Sequence, residues 1–186
     1  MRRQHKQSGA TLDEVVTAAS MSVMVLFAVV LALISGMQSW ARGEGRITAD
    51  MTSQQAVRQL SAELRQAMSV TVEAGGNRLA YRLPQKDQNG DYQIPITWDG
   101  VNRRIYFQSE GSKGDIWMGP VGSERIVCRD VVLQDSKGVA EPVAYRLFTP
   151  GEGSITRQLT LMVVTQTYGA KAEPVCSRIR ETIYLR

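Results

Sequence analysis

The stretch GATLDEVVTAASMSVMVLFAVVLALI, residues 9–34, decides how the rest of the chain is read. From Val15 to Ile34 it holds twenty residues with no charge, glycine or proline, and only Thr17, Ser20 and Ser22 are polar. At 1.5 Å rise each, twenty helical residues reach about 30 Å, the thickness of a bilayer's hydrocarbon core. Arg2, Arg3 and Lys6 precede the run, and such a positive flank is expected to stay cytoplasmic. Everything after Ser35 is then expected on the far side of the membrane. Two carboxylates, Asp13 and Glu14, stand at the entrance to the apolar run.

Three readings of this arrangement compete. A secretory signal has a basic start, an apolar stretch of about 7–15 residues and a small-residue cut after it. The run here is longer, and acidic residues at its start are unusual for a signal. A single-pass anchor fits the length but gives the two carboxylates no purpose. The third reading places a cut before the apolar run.

That third pattern resembles the type IV pilin-like family, which includes pilins and the pseudopilins of type II secretion. The resemblance is carried by the short basic leader, Gly9, Thr11, Leu12, Glu14 and the apolar helix that follows. Two positions depart from it: Ala10 stands where phenylalanine is usual, and Asp13 where an apolar residue is usual. The resemblance implies cleavage between Gly9 and Ala10 by a prepilin peptidase, with N-methylation of Ala10. It also implies that Glu14 pairs with the amino terminus of a neighbouring subunit and so sets filament register. An ionisable group at the start of a membrane helix usually has a specific partner. For Asp13, and as the alternative for Glu14, favourable interaction with the helix N-terminus is sufficient.

The rest of the sequence fits an α+β protein with a long N-terminal helix on a C-terminal antiparallel sheet. Gly36, Gly43 and Gly45 are expected to form a soft joint after the apolar run, with Trp40 at interfacial depth. Ile47, Met51, Leu60, Leu64 and Met68, with Val57 and Ala67 alongside, then predict an amphipathic helix. Beyond Val70, alternating runs around Leu79–Leu83, Ile105–Phe107, Leu159–Val163 and Ile183–Leu185 read as strands. Turn signals separate them, among them Asn89-Gly90, Asp99-Gly100 and Gly111 to Gly114. The expected division is a leader at 1–9, a membrane or filament-core helix at 10–37, an amphipathic helix at 38–70 and a β-rich head at 71–186. The shared pentapeptide pattern of Leu79–Leu83 and Val143–Leu147 reads as coincident strand chemistry, not a repeat.

Charge and inventory narrow the chemistry. The 186 residues carry 22 basic and 18 acidic side chains, a net +4. Without Arg2, Arg3 and Lys6 the balance is 19 against 18, nearly neutral. The basic pI therefore reports membrane orientation and argues against broad nucleic-acid attraction. His5 is the only histidine, so a chain cut at Gly9 has none, which removes Ser-His and Cys-His nucleophile pairs and histidine-rich metal sites. No glycine-rich phosphate loop ending in Lys-Ser or Lys-Thr occurs. No enzymatic activity and no cofactor are expected.

Three features of the head remain. Asp87, Asn89 and Asp91 alternate like the start of a calcium loop, but Tyr92 and Trp98 occupy the places of its glycine and bidentate glutamate. Asn89-Gly90 reads better as a hairpin turn, and calcium stays a weak candidate because some pseudopilins bind it. Cys128 and Cys176 are the only cysteines. In an oxidising compartment they are expected to form one disulfide worth about 2–4 kcal/mol, with two separate buried thiols as the alternative. Tyr92, Trp98, Tyr106 and Trp117, with Arg103 and Arg104, could meet single-stranded nucleic acid or simply pack as strand residues.

What the resemblance implies as a whole is a single-pass protein of the bacterial inner membrane with its head in the periplasm. Its partners would be other pilin or pseudopilin subunits, prepilin peptidase, and the secretion or pilus assembly machinery. The size of the head and the closing strand Arg180–Arg186 are similar to minor pseudopilin J and related minor pilins. The alternatives are an anchored binding module that never polymerises and a DNA-uptake minor pilin.

Overall fold

A computed structural model describes residues 11–73, 75–135, 143–151, 158–168 and 174–185. Among the described residues one helix, α1 (Leu12–Leu64), is followed by ten strands. They are β1 (Ser69–Val72), β2 (Arg78–Arg82), β3 (Arg103–Glu110), β4 (Lys113–Pro120), β5 (Arg125–Val131), β6 (Gln134–Asp135), β7 (Val143–Ala144), β8 (Phe148–Pro150), β9 (Gln158–Tyr168) and β10 (Pro174–Tyr184). The chain forms two compact units, Met1–Ala41 and Arg42–Arg186.

Within the first unit, every described residue from Thr11 to Met37 is exposed. The hydroxyls in the apolar run are satisfied by the helix itself. Thr17 donates to the carbonyl of Asp13 at 2.7 Å, Ser20 to that of Thr17 at 2.9 Å and Ser22 to that of Ala18 at 2.8 Å. Such internal bonding is what a segment without access to water requires. The helix is long and apolar enough to cross a membrane. α1 runs without a break through Gly36, Gly43 and Gly45. Each glycine costs a helix about 1 kcal/mol relative to alanine, too little to break one this long.

In the second unit the helix buries Ala49, Ser53, Ala56, Val57, Leu60, Ser61 and Leu64. Val57, Leu60 and Leu64 lie on the buried face as expected, but Ile47 and Met51 do not. Ile47 and Met51 are 58% and 68% exposed. Thirteen residues separate Ile47 from Leu60, which at 100° per residue places them about 140° apart around the axis. The sheet-facing stripe therefore begins with small residues. Its end is closed by tight turns, Gln66 N–H to Glu63 O and Ala67 N–H to Leu64 O, both 3.1 Å, and Met68 then bonds to Arg82 O.

The main sheet is antiparallel with strand order β1-β2-β3-β4-β5-β9-β10, and β8 also pairs with β9. It curls, so that Phe148 N–H, at the start of β8, reaches the carbonyl of Gly76 between β1 and β2 at 2.7 Å. The curl wraps one core around Val57, Leu60, Leu64, Leu79, Ile105, Ile116, Leu161 and Ile183. β6 and β7 pair separately. The two similar pentapeptides have different roles, since Tyr81 sits in the main core and Tyr145 in a small cluster with Val132 and Val164.

Gly114, expected in a turn, lies inside β4. A Cβ there would come 2.2 Å from Gln108 O and 2.6 Å from Phe107 Cζ, so the glycine admits the Phe107 ring against the strand. Gly114→Ala is expected to cost about 1–3 kcal/mol, seen as a lowered melting temperature of the intact chain in nonionic detergent. Leu60→Ala should cost about 2–5 kcal/mol and Met51→Gln less than about 0.5 in urea unfolding followed by tryptophan fluorescence. The reverse ranking would mean that the sheet packs on the other side of the helix.

Candidate functional site

The start of α1 is built by its own residues. Thr11 precedes the first helical turn, and its backbone N–H donates to Glu14 Oε2 at 3.0 Å. Glu14 N–H returns a bond to Thr11 Oγ1 at 3.4 Å. This reciprocal pair is a capping box, which satisfies two donors that the helix cannot serve internally. The signal is present in the sequence as Thr-x-x-Glu before an apolar run. Asp13 lies in the same first turn, where a negative charge suits the helix dipole. Gly9 and Ala10 lie outside the described residues.

In the head, the aromatic residues fall into separate places. Tyr106 and Trp117 are cross-strand partners on β3 and β4, with ring centroids 6.5 Å apart and planes within 8° of parallel. The guanidinium carbons of Arg78 and Arg104 lie 5.9 and 4.9 Å from the Tyr106 ring centre. Trp98 carries Arg82 at 4.6 Å, and Tyr92 carries Lys86 at 5.3 Å. Arg103 instead forms a largely buried ion pair with Asp99 at 2.6 Å. Arg104 Nε donates to Glu124 Oε1 at 2.5 Å, and Gly122 N–H to Glu124 Oε2 at 3.1 Å. Hydrogen bonds from its own backbone N–H, Arg104 and Gly122 hold the Glu124 carboxyl below the usual carboxylate range. Arg78 and Arg82 were not singled out from the sequence, although Arg-x-x-x-Arg on a strand puts both on one face.

Asp87, Asn89 and Asp91 form the turn that Asn89-Gly90 announced. Asp87 Oδ1 accepts the N–H groups of Asn89 and Asp91, each at 2.9 Å, and Gly90 has φ of 89°. The carboxylate oxygen best placed for an ion is thus bonded to backbone. Among the described residues no group of three or more His, Cys, Asp or Glu side chains is arranged to hold a metal.

The expected Cys128–Cys176 disulfide is not formed. Strand β9 lies between β5, which carries Cys128, and β10, which carries Cys176. Two strand spacings come to about 9.5 Å, beyond the roughly 7 Å limit between bridged Cα atoms. The side chains also take opposite faces. Cys128 packs in the main core, while Cys176 packs against the Val132, Tyr145 and Val164 cluster.

No protein-family model, no characterised protein and no solved structure matches this chain.

Burial pushes the Cys128 thiol up from about 9 to about 12, with the charges of Asp115 and Asp130 adding to it. Burial likewise raises the Tyr81 hydroxyl, helped by Glu63, which accepts its hydrogen bond at 3.3 Å. For both groups the folded state prefers the protonated form. Stability from them is full below their unfolded values and falls as pH rises from about 9 toward 12, because only the unfolded chain ionises readily there. Urea midpoints should therefore drop across that range, and Cys128→Ala should flatten part of the drop. Maleimide should leave Cys128 unmodified at pH 8 until urea unfolds the head. Rapid labelling of Cys128 in the native protein would overturn this placement.

Proposed function

We propose that this chain is a minor pilin or pseudopilin subunit, built into a type IV pilus-like or type II secretion filament or its initiating tip complex. The observation that carries the reading is α1. It is a helix of membrane-spanning length, with none of its residues from Leu12 to Met37 covered by the chain itself. Its first turn carries a carboxylate, Glu14, five positions after Gly9. A helix apolar on every side needs an apolar surround at all times, either lipid or other such helices. An exchange between those two surrounds is what filament assembly from a membrane pool demands. The antiparallel head of this α+β chain is compatible with such a subunit, and on this reading it would lie in the periplasm.

On this reading prepilin peptidase cuts between Gly9 and Ala10, Ala10 is N-methylated, and the new amino group of one subunit pairs with Glu14 of another. Function then resides in packing and recognition, without a catalytic centre. Edman sequencing or mass spectrometry of the membrane-extracted protein should find Ala10 first. An intact leader would instead support a plain anchored module, and a cut near Ser39–Ala41 an exported head. Glu14→Gln separates register from capping, because glutamine keeps the capping box while removing the charge. Cleavage should persist and incorporation into filaments should fall at least tenfold. Normal incorporation of the Glu14→Gln variant would refute the register role.

A further inference from the structure

The outer face of the sheet at β1, β2 and β3 is the remaining part of the head with unassigned chemistry. It holds an open trough of about 530 Å³ whose lining includes Ser69, Thr71, Glu73, Ala80, Arg82 and Arg104. The register explains its shape. Thr71, Ala80, Arg104 and Gly119 form one cross-strand row, so small side chains floor the sheet beside a single arginine. Arg82 follows Ala80 by two residues on the same face and is the diagonal neighbour of Arg104. Diagonal neighbours lie about 7–8 Å apart.

Charge distinguishes this face. Arg103 and Arg104 are paired with Asp99 and Glu124, and Arg78 reaches Glu73 only at 4.0 Å. Arg82 has no carboxylate partner among the described residues and is held over the Trp98 ring. The contact of Arg104 with Glu124 uses Nε, and the guanidinium has further donors. The hydroxyls of Ser69 and Thr71 and the amide of Asn102 add hydrogen-bond donors at the same place.

We propose that this trough docks an extended acidic segment of a partner protein, with carboxylates at alternate positions meeting Arg82 and Arg104. Same-side residues of an extended peptide repeat about every 6.6 Å, close to the diagonal spacing of the two arginines. Carboxylates match guanidinium geometry through paired hydrogen bonds. Nucleic acid fits less well, because base stacking needs bare rings. Here Tyr106 lies against Arg78, Arg104 and Trp117, and Trp98 carries Arg82. This docking does not depend on whether the leader is cut or the helix polymerises.

The test uses the full chain in nonionic detergent and a fluorescein-labelled (Glu-Ser)5 peptide, read by fluorescence anisotropy. Saturable binding at 50 mM NaCl is expected, at least threefold weaker at 300 mM. Arg82→Gln should weaken it at least fivefold. Ala80→Glu, which puts a carboxylate on the trough floor, should weaken it at least tenfold. Both variants should keep the wild-type circular dichroism and urea midpoint, and Arg58→Gln on the exposed face of α1 should bind as wild type. Three results would overturn the proposal. They are equal binding of (Gln-Ser)5, tighter binding of hexathymidylate, and undiminished binding by both trough variants.

Discussion

The head depends on how closely the helix can approach β9 and β10. Ser53 is fully buried, and its hydroxyl lies 3.1 Å from that of Ser177 on β10. Thr165, the cross-strand neighbour of Ser177 on β9, donates to the carbonyl of Ala49 at 3.0 Å. Only small residues on the helix allow a strand hydroxyl to reach its backbone, so Ala49, Ser53 and Ala56 act as a seat. Below that seat the stripe widens to Val57, Leu60 and Leu64, which fill the concave side of the sheet. Arg65 then clamps to Glu181 at 2.9 Å, though an ion pair so exposed adds little. Polar contacts set position and apolar burial supplies most of the energy.

That division explains what could be read in advance. Strands with regular alternation, such as Leu79 with Tyr81 and Leu159 with Leu161 and Val163, were legible because one face is buried and one is not. The apolar run was legible because its length matches a bilayer. Val57, Leu60 and Leu64 mark the helix face in the sequence, but its start is hidden because Ala49, Ser53 and Ala56 carry almost no hydrophobic signal, while the exposed Ile47 and Met51 carry a strong one. Gly114 was misjudged for a related reason. A glycine in a strand is chosen by the neighbour that lies on it, here Phe107, and that neighbour is set by cross-strand register.

The cysteines and arginines extend the point to the site. Two thiols in one head say nothing about which strand separates them, and the disulfide expectation failed on strand order, which no local pattern encodes. The Thr11–Glu14 box is fully local, carried by four residues, yet the expectation for Glu14 was only a helix-dipole or filament-register role. Arg82 is intermediate. Its strand and face follow from alternation, but its lack of a carboxylate follows from Asp99 and Glu124 being taken by Arg103 and Arg104.

The capping box also bears on the proposed register role of Glu14, because one carboxylate would serve two partners in turn. In the single chain it accepts the Thr11 N–H, and a helix cap of this kind is worth about 1 kcal/mol. A neighbour's amino group at about 4 Å would contribute about 4 kcal/mol at an effective dielectric near 20. In the proposed assembly the charged pair would outweigh the cap only where this attraction exceeds the cost of taking both charges out of water. The box holds the carboxylate in a defined position, through one hydrogen bond to the Thr11 N–H and one from the Glu14 N–H to Thr11 Oγ1. On the proposed reading, a lone subunit would carry Glu14 with a hydrogen-bond partner already in place.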